Sequence, residues 1–388
     1  MSRRAVFALA MSLSLIVAAC GDSDDGLLDP PAPGALVTVE PGAPTVCSRG
    51  TPYRFFAMGG DPKRIVIDFE GGGACWNALT CSIEDAIFAA EAPTTEQFTA
   101  YASDPALGGI YKEDPANPFA DWSLVHVPYC TGDVHWGSAT KVYSDTLTIE
   151  HQGLKNVEAV LDWVAAHYDP EVVFITGCSA GAYGAIGHAV RITRLFPKAE
   201  VRVLADSGAG IITDTFFQQS FPNWQAEAAL PLDLPAFAGK NVLDLTIAEL
   251  YSGVAAAYPK MRIGQYNAAF DRDQTFYYTV MGGGDPWSDK MRQSVETIRA
   301  AADNFRYYIA PGPVHCIHPY RIFFDRVSGA DDKAYLDWLD DFVNGDTLPD
   351  DVACQGEACK SDPVCDACKT SGSEDLVCRW CTEWNAEQ

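Results

Sequence analysis

The fold of this chain is decided by one segment, Glu171-Val172-Val173-Phe174-Ile175-Thr176-Gly177-Cys178-Ser179-Ala180-Gly181. Its first half is a compact run of β-branched and aromatic residues, which predicts a buried strand. After Gly181, small and apolar residues recur with helical spacing, which predicts a helix that ends before Pro197. The segment is therefore a strand, a sharp turn at Ser179 and a helix.

Ser179 is a candidate nucleophile because of this turn. A serine hydroxyl is a weak nucleophile until a base removes its proton. Small residues two positions before and after the serine, here Gly177 and Gly181, let the strand and the helix approach closely and leave the oxygen clear of the sheet. The pattern is typical of the α/β-hydrolase fold, and we expect an exported serine esterase of that fold.

Strand and helix patterns alternate on both sides of the turn. We predict a helix over residues 154–167 and further strands over residues 64–69, 122–127, 201–205, 263–270 and 305–309. This alternation predicts a mostly parallel sheet with helices on both faces. The fold class is α/β, with a small cysteine-rich appendage at the C-terminus.

The acid and the histidine of this fold follow the serine in chain order. His315 lies far downstream, after a Pro-Gly-Pro loop, and is the first choice for the base, with His318 as the alternative. Asp271 ends a predicted strand and is the first choice for the acid. Asp273 and Asp206 remain as alternatives. The acid would orient the imidazole and stabilise its cation.

Backbone N–H groups are expected to bind the oxyanion that forms during ester hydrolysis. One would come from Ala180, the residue after the nucleophile. The others would come from the early glycine loop that follows the strand ending at residue 69, with Gly72 and Gly73 as the candidates.

Composition limits the possible partners. The chain has 388 residues, 48% of them apolar, which is enough for a large core. Its 52 acidic and 27 basic residues give a net charge of −25. Binding to nucleic acid requires clustered Lys and Arg, so we expect no nucleic-acid partner.

The N-terminus has the features of an export signal. Arg3 and Arg4 precede an apolar run that is too short to span a membrane, and the run ends in Val-Ala-Ala-Cys, which looks like a bacterial lipobox. We predict a signal peptide over residues 1–19, lipidation of Cys20, and an acidic, proline-rich tether over residues 20–45. The protein would then be secreted or held at the cell envelope, with a lipid anchor at Cys20 as its only contact with the membrane.

Thirteen cysteines in an exported chain predict disulfides. Six of them lie between Cys354 and Cys381, in an appendage over residues 346–388 that follows a catalytic domain over residues 46–345. Two Cys-x-x-Cys pairs in this tail would also be compatible with zinc, but export favours disulfides. If the six tail cysteines pair among themselves, Cys316 and Cys178 are left over. Alternatively, Cys316 is bonded to a tail cysteine.

Five segments, in this order, carry a resemblance to a known family. They are Glu-Gly-Gly-Gly-Ala-Cys-Trp at 70–76, Pro-Tyr-Cys-Thr-Gly-Asp at 128–133, Gly-Cys-Ser-Ala-Gly at 177–181, Asn-Ala-Ala-Phe-Asp at 267–271 and His-Cys at 315–316. Together they resemble the pectin acetylesterase/Notum family of carboxylesterases over residues 46–320. Ala74 stands where plant members have Trp, and Trp76 and Trp136 are the side chains that would compensate for it.

The resemblance implies the site residue by residue. The triad would be Ser179, Asp271 and His315, and the oxyanion donors would be Gly72, Gly73 and Ala180. The implied disulfides are Cys47–Cys130 and Cys75–Cys81, which leaves Cys178 as a buried free thiol. The resemblance implies no metal and no organic cofactor.

The expected activity is hydrolysis of carboxylic esters through an acyl-serine, acting on O-acetyl groups of a polysaccharide such as pectin. One alternative uses the same triad on longer chains, as an esterase, a lipase or a polyester depolymerase. Phe217, Phe221 and Trp224, in a segment that would form a lid, motivate it. Another alternative is a catalytically silent surface binding protein. We expect a monomer.

Overall fold

The structure is a computed structural model that describes residues 27–83, 87–105, 107–327 and 333–387. The signal peptide expected over residues 1–19 and the lipidation expected at Cys20 lie outside the described residues. Among those described, no helix has both the length and the apolar character needed to cross a bilayer.

The described residues form eleven strands. They are β1 Leu36–Val39, β2 Phe55–Met58, β3 Asp61–Phe69, β4 Trp122–Val127, β5 Ala139–Ser144, β6 Leu147–His151, β7 Val172–Cys178, β8 Glu200–Asp206, β9 Arg262–Ala268, β10 Phe305–Ala310 and β11 Val352–Ala353. Nine form one sheet in the order β1-β2-β4-β3-β7-β8-β9-β10-β11, and β5 and β6 form a separate antiparallel hairpin. From β4 to β11 all neighbours are parallel, while β2 is antiparallel to both β1 and β4.

Helices cover both faces of this sheet. They are α1 Ala78–Ser82, α2 Thr95–Ser103, α3 Gly153–His167, α4 Ala180–Leu195, α5 Asp214–Trp224, α6 Ile247–Ala257, α7 Arg272–Val280, α8 Trp287–Ala301, α9 Tyr335–Asn344, α10 Pro363–Ser371 and α11 Leu376–Glu387. The apolar sides of α3, α4, α6 and α8 join one core cluster, and those of α2, α9 and α11 join the other.

Alternation along the strands separates the two cores. In β3, the buried side chains of Ile65 and Ile67 belong to the first cluster and that of Val66 to the second. Neighbouring side chains on a strand point to opposite faces, so a strand buried on both faces is apolar without interruption. This architecture is the mostly parallel α/β-hydrolase sheet expected from the sequence.

Two described segments outside the expected catalytic domain join the main sheet. Residues 36–39 fall in the expected tether, yet they form β1, which pairs with β2 as the edge strand of the sheet. Leu36, Thr38 and Val39 are partly buried and Val37 is exposed, a pattern that the proline content of the surrounding segment conceals. In the expected appendage, β11 pairs with β10 and extends the sheet at its other edge. Only the part after β11 lies outside the sheet.

Six disulfides join the cysteines of the described residues. They are Cys47–Cys130, Cys75–Cys81, Cys178–Cys316, Cys354–Cys359, Cys365–Cys381 and Cys368–Cys378. The first two are the pairs that the resemblance implies. The tail cysteines pair among themselves, so their sulfurs do not form a zinc site, and the last two bonds staple α10 to α11. Disulfides of this number are typical of an oxidising compartment.

The expectation of a free thiol at Cys178 was wrong. Cys178 ends β7, and the loop after β10 returns along the carboxyl edge of the sheet to bring Cys316 to a Cα distance of 5.7 Å, where the two sulfurs are bonded. These residues are 138 apart in sequence, so no local pattern shows that they meet.

Gly181→Ala tests the close packing at the start of α4. The added methyl group would lie 1.9 Å from the carbonyl oxygen of Phe69, so the helix or the strand must shift. We expect the free energy of unfolding to fall by about 1–3 kcal/mol, as is typical of overpacking. Urea unfolding measures this change. Gly284→Ala is the control, because Gly284 is exposed and has nothing within 4 Å of an added methyl group. Equal stability of the two variants would contradict the prediction.

Candidate active site

Ser179 lies between β7 and α4 in a backbone conformation that is rare for residues other than glycine. Its φ is 56° and its ψ is −118°, which marks a strained turn. A methyl group on Gly177 would lie 2.4 Å from the carbonyl oxygen of Gly181, so only glycine permits this approach. The N–H of Ser179 donates to the carbonyl of Asp206 at 2.8 Å and ties the turn to β8.

His315 and Asp271 meet at the same edge of the sheet, after β10 and β9. The Nδ1 atom of His315 lies 2.9 Å and 3.0 Å from the two carboxylate oxygens of Asp271, and both residues are buried. Asp271 is also the N-cap of α7 and accepts the backbone N–H and the side-chain amide of Gln274, each at 2.9 Å. Its carboxylate is therefore fixed from two sides. His315 and Ser179 line the same two cavities.

The alternative histidine, His318, lies in the core. Its Nδ1 is 2.8 Å from the hydroxyl of Thr176, and its Nε2 is 2.6 Å from the hydroxyl of Tyr335. Burial lowers its pKa to about 4, so this ring is neutral near pH 7. It lines neither of the cavities that contain Ser179.

The two alternative acids contact other groups. The carboxylate of Asp206 accepts the backbone N–H groups of Ile317 and His318 at 2.9 Å and 2.8 Å, so it holds the histidine loop in place. Asp273 accepts the indole N–H of Trp380 at 3.2 Å. The structure thus joins His315 to Asp271 by hydrogen bonds and gives Asp206 and Asp273 different partners.

The imidazole of His315 is surrounded by negative charge. Burial alone would lower its pKa, but the charge of Asp271 and the hydrogen bond to it act in the opposite direction. Asp273 and Asp206 add to this effect, and the pKa rises to about 9. Burial also raises the pKa of Asp206 to about 7, against the hydrogen bonds from the histidine loop.

The glycine loop packs directly against the serine turn. A methyl group on Gly71 would lie 3.0 Å from Cβ of Ser179. The loop pairs with residues 87–89, through hydrogen bonds from Ala89 N–H to the Gly72 carbonyl and from Ala74 N–H to the Ile87 carbonyl. Ala180 begins α4, where backbone N–H groups have no acceptor within the helix. All three expected oxyanion donors therefore lie on segments that pack at Ser179.

A small apolar pocket opens beside Ser179, and we call it the acyl pocket. Its walls include Trp76, Trp136, Phe216 and Trp224, and its cavity volume is about 60 Å³. The two tryptophans expected to compensate for Ala74 are therefore in the wall. Residues of α5 close it: the segment considered as a lid contributes Phe221 and Trp224, and Phe216 precedes that segment. Phe217 does not line it.

Several residues at the site had not been expected from the sequence. Gln274 fixes Asp271, and the Asp-x-x-Gln spacing at the start of α7 is the capping pattern that points to it. The ring of Trp380 in the appendage lies edge to face with that of His315, at 6.0 Å between centroids. No sequence signal links this distant tryptophan to the histidine loop.

Two groups of side chains have the spacing of metal ligands within the described part of the chain. They are Cys75, Cys81 and His151, and Cys178, His315 and Cys316. In both groups the cysteine sulfurs are joined in a disulfide, which removes the thiolates that would bind a metal. Neither group therefore fits a metal site.

The strand order and the serine turn place the protein in the α/β-hydrolase class. The family model described as pectinacetylesterase matches residues 34–228, just over half of the 388 residues, so the chain belongs to that family. Pectin acetylesterase 11 of Arabidopsis thaliana is 26% identical over 215 residues, which is 53% of each chain. Pectin acetylesterase 7 of the same plant is 25% identical over 146 residues, 37% of this chain and 36% of that protein. The chain thus matches about half or less of the length of these curated relatives.

Solved structures extend the likeness over most of the fold. The Wnt deacylase Notum from Drosophila is similar in two crystal forms, with TM-scores of 0.61 and 0.59. The sequence identities are 18% and 17%, and each match covers 82% of this chain and 96% or 97% of the other. At this identity the likeness shows a shared fold.

We predict that His315 titrates near pH 9, well above the ordinary value of a histidine, because the Asp271 carboxylate stabilises its cation. Asp271→Asn removes that charge, so the pKa should fall by about one to three pH units. NMR titration of ¹³C-labelled histidine rings measures both values. Asp162→Asn, an exposed carboxylate on α3, is the matched control and should leave the His315 titration unchanged. The same titration in all three proteins would contradict the prediction.

Proposed function

We propose that the protein is a serine carboxylesterase in which Ser179, His315 and Asp271 form the catalytic triad. One observation carries the proposal: a hydrogen-bonded His315–Asp271 pair shares its cavities with a serine on a strained strand-to-helix turn. The proposal also agrees with membership of the pectinacetylesterase family.

In the proposed mechanism each group has its own step. Asp271 accepts a hydrogen bond from Nδ1 of His315, which leaves Nε2 available to the serine. In the neutral imidazole, which predominates above the raised pKa of about 9, Nε2 takes the proton from Ser179 as its oxygen attacks the ester carbonyl. The N–H groups of Gly72, Gly73 and Ala180 would stabilise the oxyanion. The imidazolium then gives its proton to the leaving alcohol, and an acyl-serine remains. Water, activated by the same imidazole, releases the acid and restores the serine.

The size of the acyl pocket favours a short acyl group. A water molecule needs about 10–15 Å³ of cavity volume. The acyl pocket, at about 60 Å³, therefore has room for roughly four to six waters. An acetyl group fits that space, and a fatty acyl chain does not fit without rearrangement of the aromatic walls. We therefore propose O-acetyl groups on a polysaccharide as the substrate, in keeping with the names of the plant relatives. Notum is named as a deacylase, and the reaction proposed here is of the same type.

Ser179→Ala should lower the kcat for p-nitrophenyl acetate by about 10³-fold or more, because the nucleophile is lost. Ser252→Ala is the matched control, since the Ser252 hydroxyl bonds only within α6, to the carbonyl of Ala248. A fluorophosphonate probe should label the wild type and not the Ser179 variant. Equal rates in the wild type and the Ser179 variant would refute the esterase proposal.

A series of ester substrates tests the preferred acyl length. Along p-nitrophenyl esters from acetyl to palmitoyl, the wild-type kcat/KM should be highest at acetyl and fall steeply once the chain exceeds the acyl pocket. A maximum at long chains would favour a lipase or polyester depolymerase. If the fluorophosphonate probe does not label the folded wild-type protein, the result would favour a catalytically silent binding protein.

We also propose that the protein is exported and anchored through a lipid on Cys20, on the strength of the lipobox-like Val-Ala-Ala-Cys sequence. In a bacterial host, the full-length protein should incorporate radiolabelled palmitate, and Cys20→Ala should abolish this incorporation. Ser23→Ala is the control and should be labelled like the wild type. Undiminished labelling of the Cys20 variant would exclude this anchor.

A further inference from the structure

A second cavity meets the acyl pocket at the reacting residues. The two cavities share Gly73, Ser179, Tyr277 and His315. The volume of the second cavity is about 630 Å³. The glycine loop and α11 both contribute to its lining. Since the acyl pocket holds only a few atoms, the alcohol part of an ester must occupy this larger space. We call it the leaving-group cleft.

The charged side chains that line this cleft are carboxylates and histidines. Asp68, Glu70 and Asp273 are the acids, His126 and His315 are the histidines, and no Lys or Arg occurs among the described lining residues. The chain as a whole carries a net charge of −25. A polyanion that entered the cleft would lose hydration and meet charges of its own sign.

Each of these carboxylates already has a partner in the protein. Asp68 lies 2.7 Å from Nδ1 of His126, Glu70 accepts a backbone N–H at 2.9 Å, and Asp273 accepts the indole N–H of Trp380. Asp68 also accepts the hydroxyl of Tyr111, whereas the remaining lone pairs of Glu70 and Asp273 can accept hydroxyl groups of a ligand. A cationic ligand would compete with these partners, whereas a neutral, hydroxyl-rich ligand adds to them.

The apolar part of the cleft comes partly from the C-terminal appendage. Leu376 and Trp380 of α11 line it, and the ring of Trp380 packs edge to face against Tyr320 with 5.5 Å between centroids. An ion pair between Arg272 and Glu383 and the stacking of Phe270 on Trp384 fix α11 against the segment that carries Asp271. Aromatic and aliphatic walls suit the apolar faces of sugar rings.

We propose that the leaving-group cleft binds uncharged O-acetylated sugars and disfavours the galacturonate chain of pectin, with Trp380 of the appendage as a specificity-determining wall. The proposal rests on the esterase function above and names the substrate class of that same site. The lining holds three carboxylates against two histidines, with no Lys or Arg among its described residues, and this balance disfavours polyanions. The apolar walls with hydrogen-bond acceptors between them accept neutral sugars.

The test compares acetylated xylo-oligosaccharides with acetylated oligogalacturonates of equal length and acetyl content. At low salt, kcat/KM for the neutral substrate should be at least about tenfold higher, because each carboxylate repels the uronate groups. Raising the salt from about 0.01 M to about 1 M shortens the screening length from about 30 Å to about 3 Å, so only the anionic substrate should speed up. Hydrolysis of p-nitrophenyl acetate reports the chemical step independently of the glycan.

Asp273→Asn removes one charge from the cleft and keeps an oxygen that accepts from Trp380. The ratio of anionic to neutral kcat/KM should rise several-fold in this variant. It should not change in Asp162→Asn, the same substitution on the exposed side of α3. A wild-type preference for the oligogalacturonate without salt dependence would overturn the inference, as would a preference for O-acetylated amino sugars that carry a positive charge. If p-nitrophenyl acetate is not hydrolysed either, the esterase proposal itself fails.

Trp380→Leu tests the wall of the cleft. KM for the acetylated xylo-oligosaccharide should rise several-fold more than KM for p-nitrophenyl acetate. Thr382→Ala, an exposed position on the same helix whose hydroxyl donates to the Cys378 carbonyl within α11, is the control and should leave this ratio unchanged. Equal losses on both substrates in the Trp380 variant would show that Trp380 acts only through His315, and would overturn its assignment to specificity.

Discussion

The rest of the site depends on the tight turn at Ser179, whose φ is positive. Backbone atoms approach Gly177 and Gly181 so closely that neither position has room for a side chain. A methyl group on Gly181 would meet the carbonyl oxygen of Phe69 at the end of β3, and one on Gly177 would meet α4 itself. Such a conformation costs about 1–3 kcal/mol, which the packing around it must offset. Three strand ends, β3, β7 and β8, are therefore fixed relative to α4 by one turn. The glycine loop continues from β3, so its position against Ser179 follows from the same contact.

A second set of contacts positions His315. Both sets include Asp206 at the end of β8. Asp206, whose carbonyl accepts the Ser179 N–H, also accepts two N–H groups of the histidine loop with its carboxylate. Ser207 accepts the N–H of Cys316, and Cys316 is bonded to Cys178 beside the nucleophile. The end of β8 thus serves both loops. Because the contacts are shared, a shift of the serine turn would also move His315.

Much of this arrangement could be predicted from the sequence, because parallel strands bring their carboxyl ends to one edge. The strand predicted over 122–127 matches β4, and the helix predicted over 154–167 starts one residue late. The structure joins Asp271 and His315 by a hydrogen bond, whereas His318 and Asp273 contact other groups. Asp206 was a reasonable alternative acid, since it too ends a strand. Only the path of the loop over residues 311–318 shows that its carboxylate faces backbone N–H groups.

Pairings between distant segments were beyond the sequence patterns. The Cys178–Cys316 bond depends on a loop that crosses two strands, and the short strand β1 lies in a proline-rich segment whose composition resembles that of a linker. The pairing of β11 with β10 involves only two residues, too few to give a periodicity. Trp380 reaches His315 through a stapled pair of helices whose docking is set by Arg272–Glu383 and by ring stacking. Local periodicity records burial, but it does not record which buried surfaces meet.

The part of the chain that defines the family is not the part that completes the site. The family match over residues 34–228 contains the glycine loop and Ser179, and it ends before Asp271, His315 and α11. The match therefore covers the proposed nucleophile and the proposed oxyanion donors. The leaving-group cleft takes Asp273, Tyr320 and Trp380 from the unmatched half. A shared nucleophile fixes the bond that is broken, whereas the cleft wall selects the molecule that carries it. The charge of the substrate must accordingly be inferred from the acids and aromatic rings of this particular cleft.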